Sequence, residues 1–179
     1  MLEQRIQQQF FESADLKYQS AETLARPVAE AAQALLGAIT GGGKVLVFAA
    51  GLGSALALHF QRLLLGRFER ERLPLPAVAL GTQAVEQVRA LGLPGDVLLL
   101  MDNGEGDSAA LMAAARGKDM TLVVLAGRGA NELRELLAES DVLIAVPHER
   151  AARVAETHML VLHCLCDAID FQLMGDIEP

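Results

Sequence analysis

Two glycine-rich loops carry residue types that could bind an anion. The first, Ala50-Gly51-Leu52-Gly53-Ser54, follows an apolar run and opens a helical stretch. Gly51 and Gly53 let backbone N–H groups approach an anion, a helix N-terminus adds a favourable dipole, and Ser54 adds a hydroxyl. A tight strand-to-helix turn explains the same residues without a ligand. The second loop, Asp102-Asn103-Gly104-Glu105-Gly106-Asp107-Ser108, offers Asn103 and Ser108 to a sugar or phosphate oxygen. It also carries three carboxylates. Two unit charges about 4 Å apart repel by about 4 kcal/mol at an effective dielectric of about 20. Phosphate is therefore expected to bind weakly or not at all. A cation is the other reading of an Asp-rich loop, but the D-x-[DN]-x-[DN]-G order of a calcium loop is absent.

The histidines are His59, His148, His158 and His163. Leu63 stands at i+4 from His59, where a carboxylate or second histidine would share its helical face. His158 and His163 lie five residues apart, about 140° around a helix, and cannot chelate one metal together. His163 and Cys166 share a face, but a metal needs more ligands than that pair. A buried helix position accounts for them more simply. Spacing alone shows no nucleophile–base pair, and no metal or cofactor is expected.

These residues need a scaffold. Lys44–Ala49, Pro76–Leu80, Asp96–Met101, Met120–Ala126 and Asp141–Val146 are short, nearly continuous apolar runs, as strands covered on both faces should be. Helical stretches lie between them at Ala55–Phe68, Gln83–Leu91, Asp107–Arg116 and Asn131–Ala138, and a long one follows at Ala151–Met174. The alternation predicts a three-layer α/β sandwich around a five-stranded parallel sheet, with ligands at the carboxyl ends of the strands. Leu24, Val28, Ala31, Leu35 and Ala38 form an apolar helical stripe. Residues 1–40 read as a helical extension and 41–179 as the α/β unit. Pro27 is expected to start or kink a segment. Phe10 and Phe11 suit packing against another subunit.

A chain of 179 residues with 52% apolar residues is one globular domain. The net charge of −8 argues against direct nucleic-acid or anionic-membrane binding. The opening MLEQRIQQQF lacks a signal-peptide core, and the glycines within Val45–Gln61 argue against a membrane span. Cys164 and Cys166 are about 200° apart on a helix and cannot bridge, which suits reduced thiols in the cytoplasm.

The runs KVLVFAAGLGSALALHF, GRFERERLPLPAVAL, LGLPGDVLLL, DMTLVVLAG and DVLIAVPHERAARVAETHMLVLHCLCDAID resemble the phosphoheptose isomerase family of SIS (sugar isomerase) domains. Within it they are most similar to the branch of proteins that associate with the replication initiator DnaA. The resemblance implies a flavodoxin-like sheet and a homotetramer. It also implies four residues for zinc and proton transfer, a His, a Glu four later, a Gln and a second His. Their equivalents are His59, Leu63, Ala155 and His163. The family's loops, approximately G-N-G-G-S and S-T-S-G-N-S, survive only in part. Ser54 would have to replace a phosphate-binding serine by a one-residue shift, and Ser108 alone matches plainly in the second loop. Between Leu80 and Arg89 roughly a dozen and a half family residues are missing.

Leucine and alanine neither ligate zinc nor move a proton. On that ground His59 and His163 are expected to be catalytic remnants, without isomerase turnover. The chain is expected to be a non-catalytic binding protein linked to DnaA and replication initiation. Leu173 and Met174, at the end of the last helix with an acidic rim, are its candidate docking patch, or else they pack on a neighbouring subunit. The alternative is a sugar-phosphate (sedoheptulose 7-phosphate) isomerase or sensor with a rebuilt site.

Overall fold

The five apolar runs form the five strands of one parallel sheet: β1 Val45–Ala49, β2 Ala77–Ala79, β3 Val97–Met101, β4 Thr121–Ala126 and β5 Val142–Ala145. The computed structural model describes residues 1–176, apart from the side chain of Leu52. The strand order is β2-β1-β3-β4-β5, in register from Val45 opposite both Ala77 and Val97. Alternation along β1 sends Val45, Val47 and Ala49 to one face and Leu46 to the other. The first face is covered by α1 (Leu2–Thr40), α2 (Ser54–Leu65) and α6 (Ala151–Met174). The second is covered by α3 (Ala84–Leu91) and α4 (Ser108–Arg116), with Leu133 of α5 (Asn131–Glu135) at its margin. Both faces being dry is why the strands read as apolar runs and not as an alternation. The order reverses between β1 and β3, so the switch-point crevice lies beside the two glycine-rich loops.

The N-terminal region differs from expectation. One helix of 39 residues runs through Pro27, which starts no new segment. A proline inside a helix forfeits its own N–H bond. Burial from Leu16 through Ala38 holds the helix on either side, chiefly against α6 and the sheet. Its first half is more open, with Phe10 and Phe11 exposed. No helix among the described residues is long and apolar enough to cross a membrane.

The segment after α2 is organised by one side chain. The Arg72 side chain is buried and donates from Nε to Asp170 Oδ1 of α6 at 2.5 Å. Its Nη1 and Nη2 donate to the carbonyls of Leu64, Gly66, Leu73 and Leu63. These include carbonyls that the end of α2 leaves without helical partners. The guanidinium thus ties the C-terminus of α2 to α6. Removing one partner of a buried pair strands the other charge. Asp170→Ala is expected to lower the unfolding free energy by about 3–5 kcal/mol, read by urea denaturation; a loss within experimental error would mean that the pair does not hold the two helices.

Candidate functional site

The two loops meet at the switch point, and the second folds over the first. Asn103 donates from Nδ2 to the Ala50 carbonyl at 3.0 Å, while its Oδ1 accepts from the Glu105 N–H at 3.1 Å. Ser108 donates to Asp102 Oδ1 at 2.7 Å. Asn103 and Ser108 are thus engaged in holding the loop. Asp107 caps α4 by accepting from the Ala110 N–H at 2.8 Å. Gly51 has φ +53°, a conformation that favours glycine, and the Glu105 carboxylate lies where a side chain at Gly51 would be. Gly53 leads into α2, and Ser54 is its exposed first residue. A carboxylate of the chain itself therefore covers the loop that the sequence offers to an anion. The sequence shows Glu105 only as one of three acidic residues; its seat over Gly51 comes from the loop's fold.

The histidines form a second feature, between α2 and α6. His59, about one and a half turns into α2, faces His163 of α6 with Nε2 to Nε2 at 3.0 Å. Without an ion between them, such a contact needs one nitrogen to donate and the other to accept. Phe68 packs on His163, with ring centroids 5.4 Å apart. Burial, and secondarily the proximity of His163, push the His59 pKa below its ordinary value. This keeps a neutral imidazole available near pH 7. The two residues lie 104 positions apart in sequence, so no local spacing rule could pair them.

His158 stands apart from the pair. It is buried, its Nε2 lies 3.4 Å from the Ala126 carbonyl, and burial lowers its pKa against that bond and the charge of Asp102. Cys166 is buried beside Arg72 and Asp170, its thiol pushed up to about 12 chiefly by desolvation, and Cys164 is exposed; both are free. Leu173 is exposed and Met174 half-buried, ahead of the helix stop at Gly175. Of the acidic rim, Glu178 lies outside the described residues.

Residues 9–127 match the model of the SIS domain family. A phosphoheptose isomerase of Methylibium petroleiphilum is 51% identical over 98% of this chain and 97% of its own length. The chain belongs to the phosphoheptose isomerase family of SIS domains. Another phosphoheptose isomerase, of Aromatoleum aromaticum, is 40% identical over 96% of each chain. Among solved structures, phosphoheptose isomerase GmhA from Neisseria gonorrhoeae superposes with a TM-score of 0.86 at 34% identity, covering 95% of this chain and 99% of its own. A phosphoheptose isomerase from Francisella tularensis gives 0.87 at 33% identity, covering 95% and 98%. The Methylibium alignment runs over 195 positions against 179 residues here, so that relative carries residues this chain lacks.

These relatives overturn the expectation of a non-catalytic, DnaA-linked replication regulator. Homologues matching almost end to end are named as phosphoheptose isomerases. Leu63 and Ala155 bear on metal ligation, whereas proton transfer asks first for two groups within hydrogen-bond reach. Zinc, which the family pattern implies, is a separate matter. Leu63 and Ala155 supply no ligand, and among the described residues no three His, Cys, Asp or Glu side chains are placed to hold an ion. The donor set does not fit zinc.

The Glu105 carboxylate opposes any anion approaching Gly51 and α2. Glu105→Gln is expected to tighten binding of inorganic phosphate about tenfold, a modest share of a like-charge repulsion of about 4 kcal/mol. Calorimetry reads this directly; unchanged affinity would mean that the carboxylate does not guard the loop.

Proposed function

We propose that this chain is a sugar-phosphate isomerase of the phosphoheptose type, interconverting sedoheptulose 7-phosphate and the corresponding aldoheptose phosphate with a rebuilt site. The observation that carries this reading is the 3.0 Å contact between His59 Nε2 and His163 Nε2. Aldose–ketose isomerisation moves hydrogen between adjacent carbons through an enediol. It needs one group to take the proton from carbon and another to protonate the carbonyl oxygen. Neutral His59 takes the C1 proton of the ketose, and His163 delivers the pair's other proton to O2. Reversal on the other carbon, with O1 giving up its proton and C2 gaining one, yields the aldose, and both imidazoles return to their starting states. No step in this scheme calls on residues 63 and 155.

The phosphate is taken at the switch-point crevice, where Gly51, Gly53 and Ser54 open α2 once Glu105 moves aside. Asn103 and Ser108 act by holding the second loop in place. The same reading includes a homotetramer, supported by the exposed Ile6, Phe10 and Phe11 of α1 and Leu160, Phe171 and Leu173 of α6. Such a homotetramer can bury Leu173 and Met174 at a contact between copies.

A coupled assay on sedoheptulose 7-phosphate tests the proposal. Turnover above a no-enzyme control is expected, falling about 10²–10⁴-fold in His59→Ala and in His163→Ala, the usual worth of general acid–base groups. Absence of turnover in the wild type, or variants that match it, would refute the assignment.

A further inference from the structure

The family pattern implies a zinc site where His59 and His163 meet, and this chain supplies too few donors for one. Their 3.0 Å separation alone suits either a shared proton or a shared ion; the number of donors decides between them. Catalytic zinc takes three protein ligands and structural zinc four. One turn beyond His59 on the same helix stands Leu63, half-buried against the core of that face. Ala155 lies eight residues before His163, about 12 Å along the helix axis, and carries no donor. The sulfurs do not make up the deficit. Cys166 is buried beside Arg72 and Asp170, and Cys164 lines the groove between α6 and α1.

We infer that His59 and His163 work as a metal-free imidazole pair, and that the side chain at position 63 is what keeps the metal out. Leucine leaves two nitrogens facing each other directly, so the proton they share takes the place an ion would occupy. A carboxylate at position 63 would lie one turn from His59 on the same face. It would complete a His₂Glu donor set of the kind that holds catalytic zinc. This deepens the isomerase reading of the same pair, yet its readout is metal content, which turnover does not enter.

The test uses the full chain, produced in zinc-supplemented medium and dialysed against metal-free buffer. Zinc per chain is measured by mass spectrometry, and cobalt(II) is titrated with visible absorbance as the signature of tetrahedral ligation. The wild type is expected to retain far less than stoichiometric zinc and to give no tetrahedral cobalt spectrum. Leu63→Glu is expected to retain about one zinc per chain, and to lose it when combined with His163→Ala. Stoichiometric zinc in the wild type, removed by His59→Ala or His163→Ala, would overturn the inference. This arm needs no new variant at position 63, so it holds even if Leu63→Glu folds poorly. A Leu63→Glu protein with native circular dichroism and no bound metal would overturn the role given to position 63. A zinc-free wild type without turnover would sink the isomerase reading and leave this inference standing. Chelator-sensitive turnover in a zinc-loaded wild type would do the reverse.

Discussion

The buried pair of Arg72 and Asp170 is the constraint on which the rest of the site depends. The guanidinium binds carbonyls at the end of α2 with one hand and the α6 carboxylate with the other. Asp170 lies two turns beyond His163 on α6, and Arg72 grips α2 just past His59. The contact between the imidazoles is therefore fixed by a clamp a short way along the same two helices. Asp170 Oδ2 is buried without a hydrogen-bond partner, so the pair is kept at some desolvation cost. Such a pair is poor evidence of stability for its own sake, but it specifies how two helices sit against each other.

On that frame the site has two halves that have diverged in different ways. The loop half keeps the family's place at the switch point but fills it from within, with Asn103 on Ala50, Ser108 on Asp102 and the Glu105 carboxylate over Gly51. The helix half keeps both histidines and loses the groups that would accompany them at positions 63 and 155. Electrostatics penalises an anion in the first half, while coordination chemistry penalises a metal in the second. What survives both is a pair of imidazoles at proton-transfer distance.

The sheet was legible because parallel strands buried on both faces leave continuous apolar runs, and all five appear within a residue or so of their expected ends. The last helix, Ala151–Met174, matches its expected span. The helix runs through Pro27 because the proline's cost is local, whereas the burial of Leu24 and Ala31 on either side is a tertiary gain. The pairing of His59 with His163 was invisible to spacing, as was the grip of Arg72 on Asp170, since each joins residues about a hundred positions apart. The resemblance implies one family site for His59 and His163, while Leu63 and Ala155 speak only to metal ligation there.

The most direct measurement of the central claim is hydrogen exchange at carbon. Sedoheptulose 7-phosphate incubated with the protein in D₂O is followed by proton NMR. An enediol formed by a half-exposed imidazole exchanges its abstracted proton with solvent, so deuterium should enter at C1 of the ketose as the aldose appears. His59→Ala should abolish the label while leaving the fold intact. Recovery of unlabelled ketose, with no aldose, from folded wild-type protein would contradict the account.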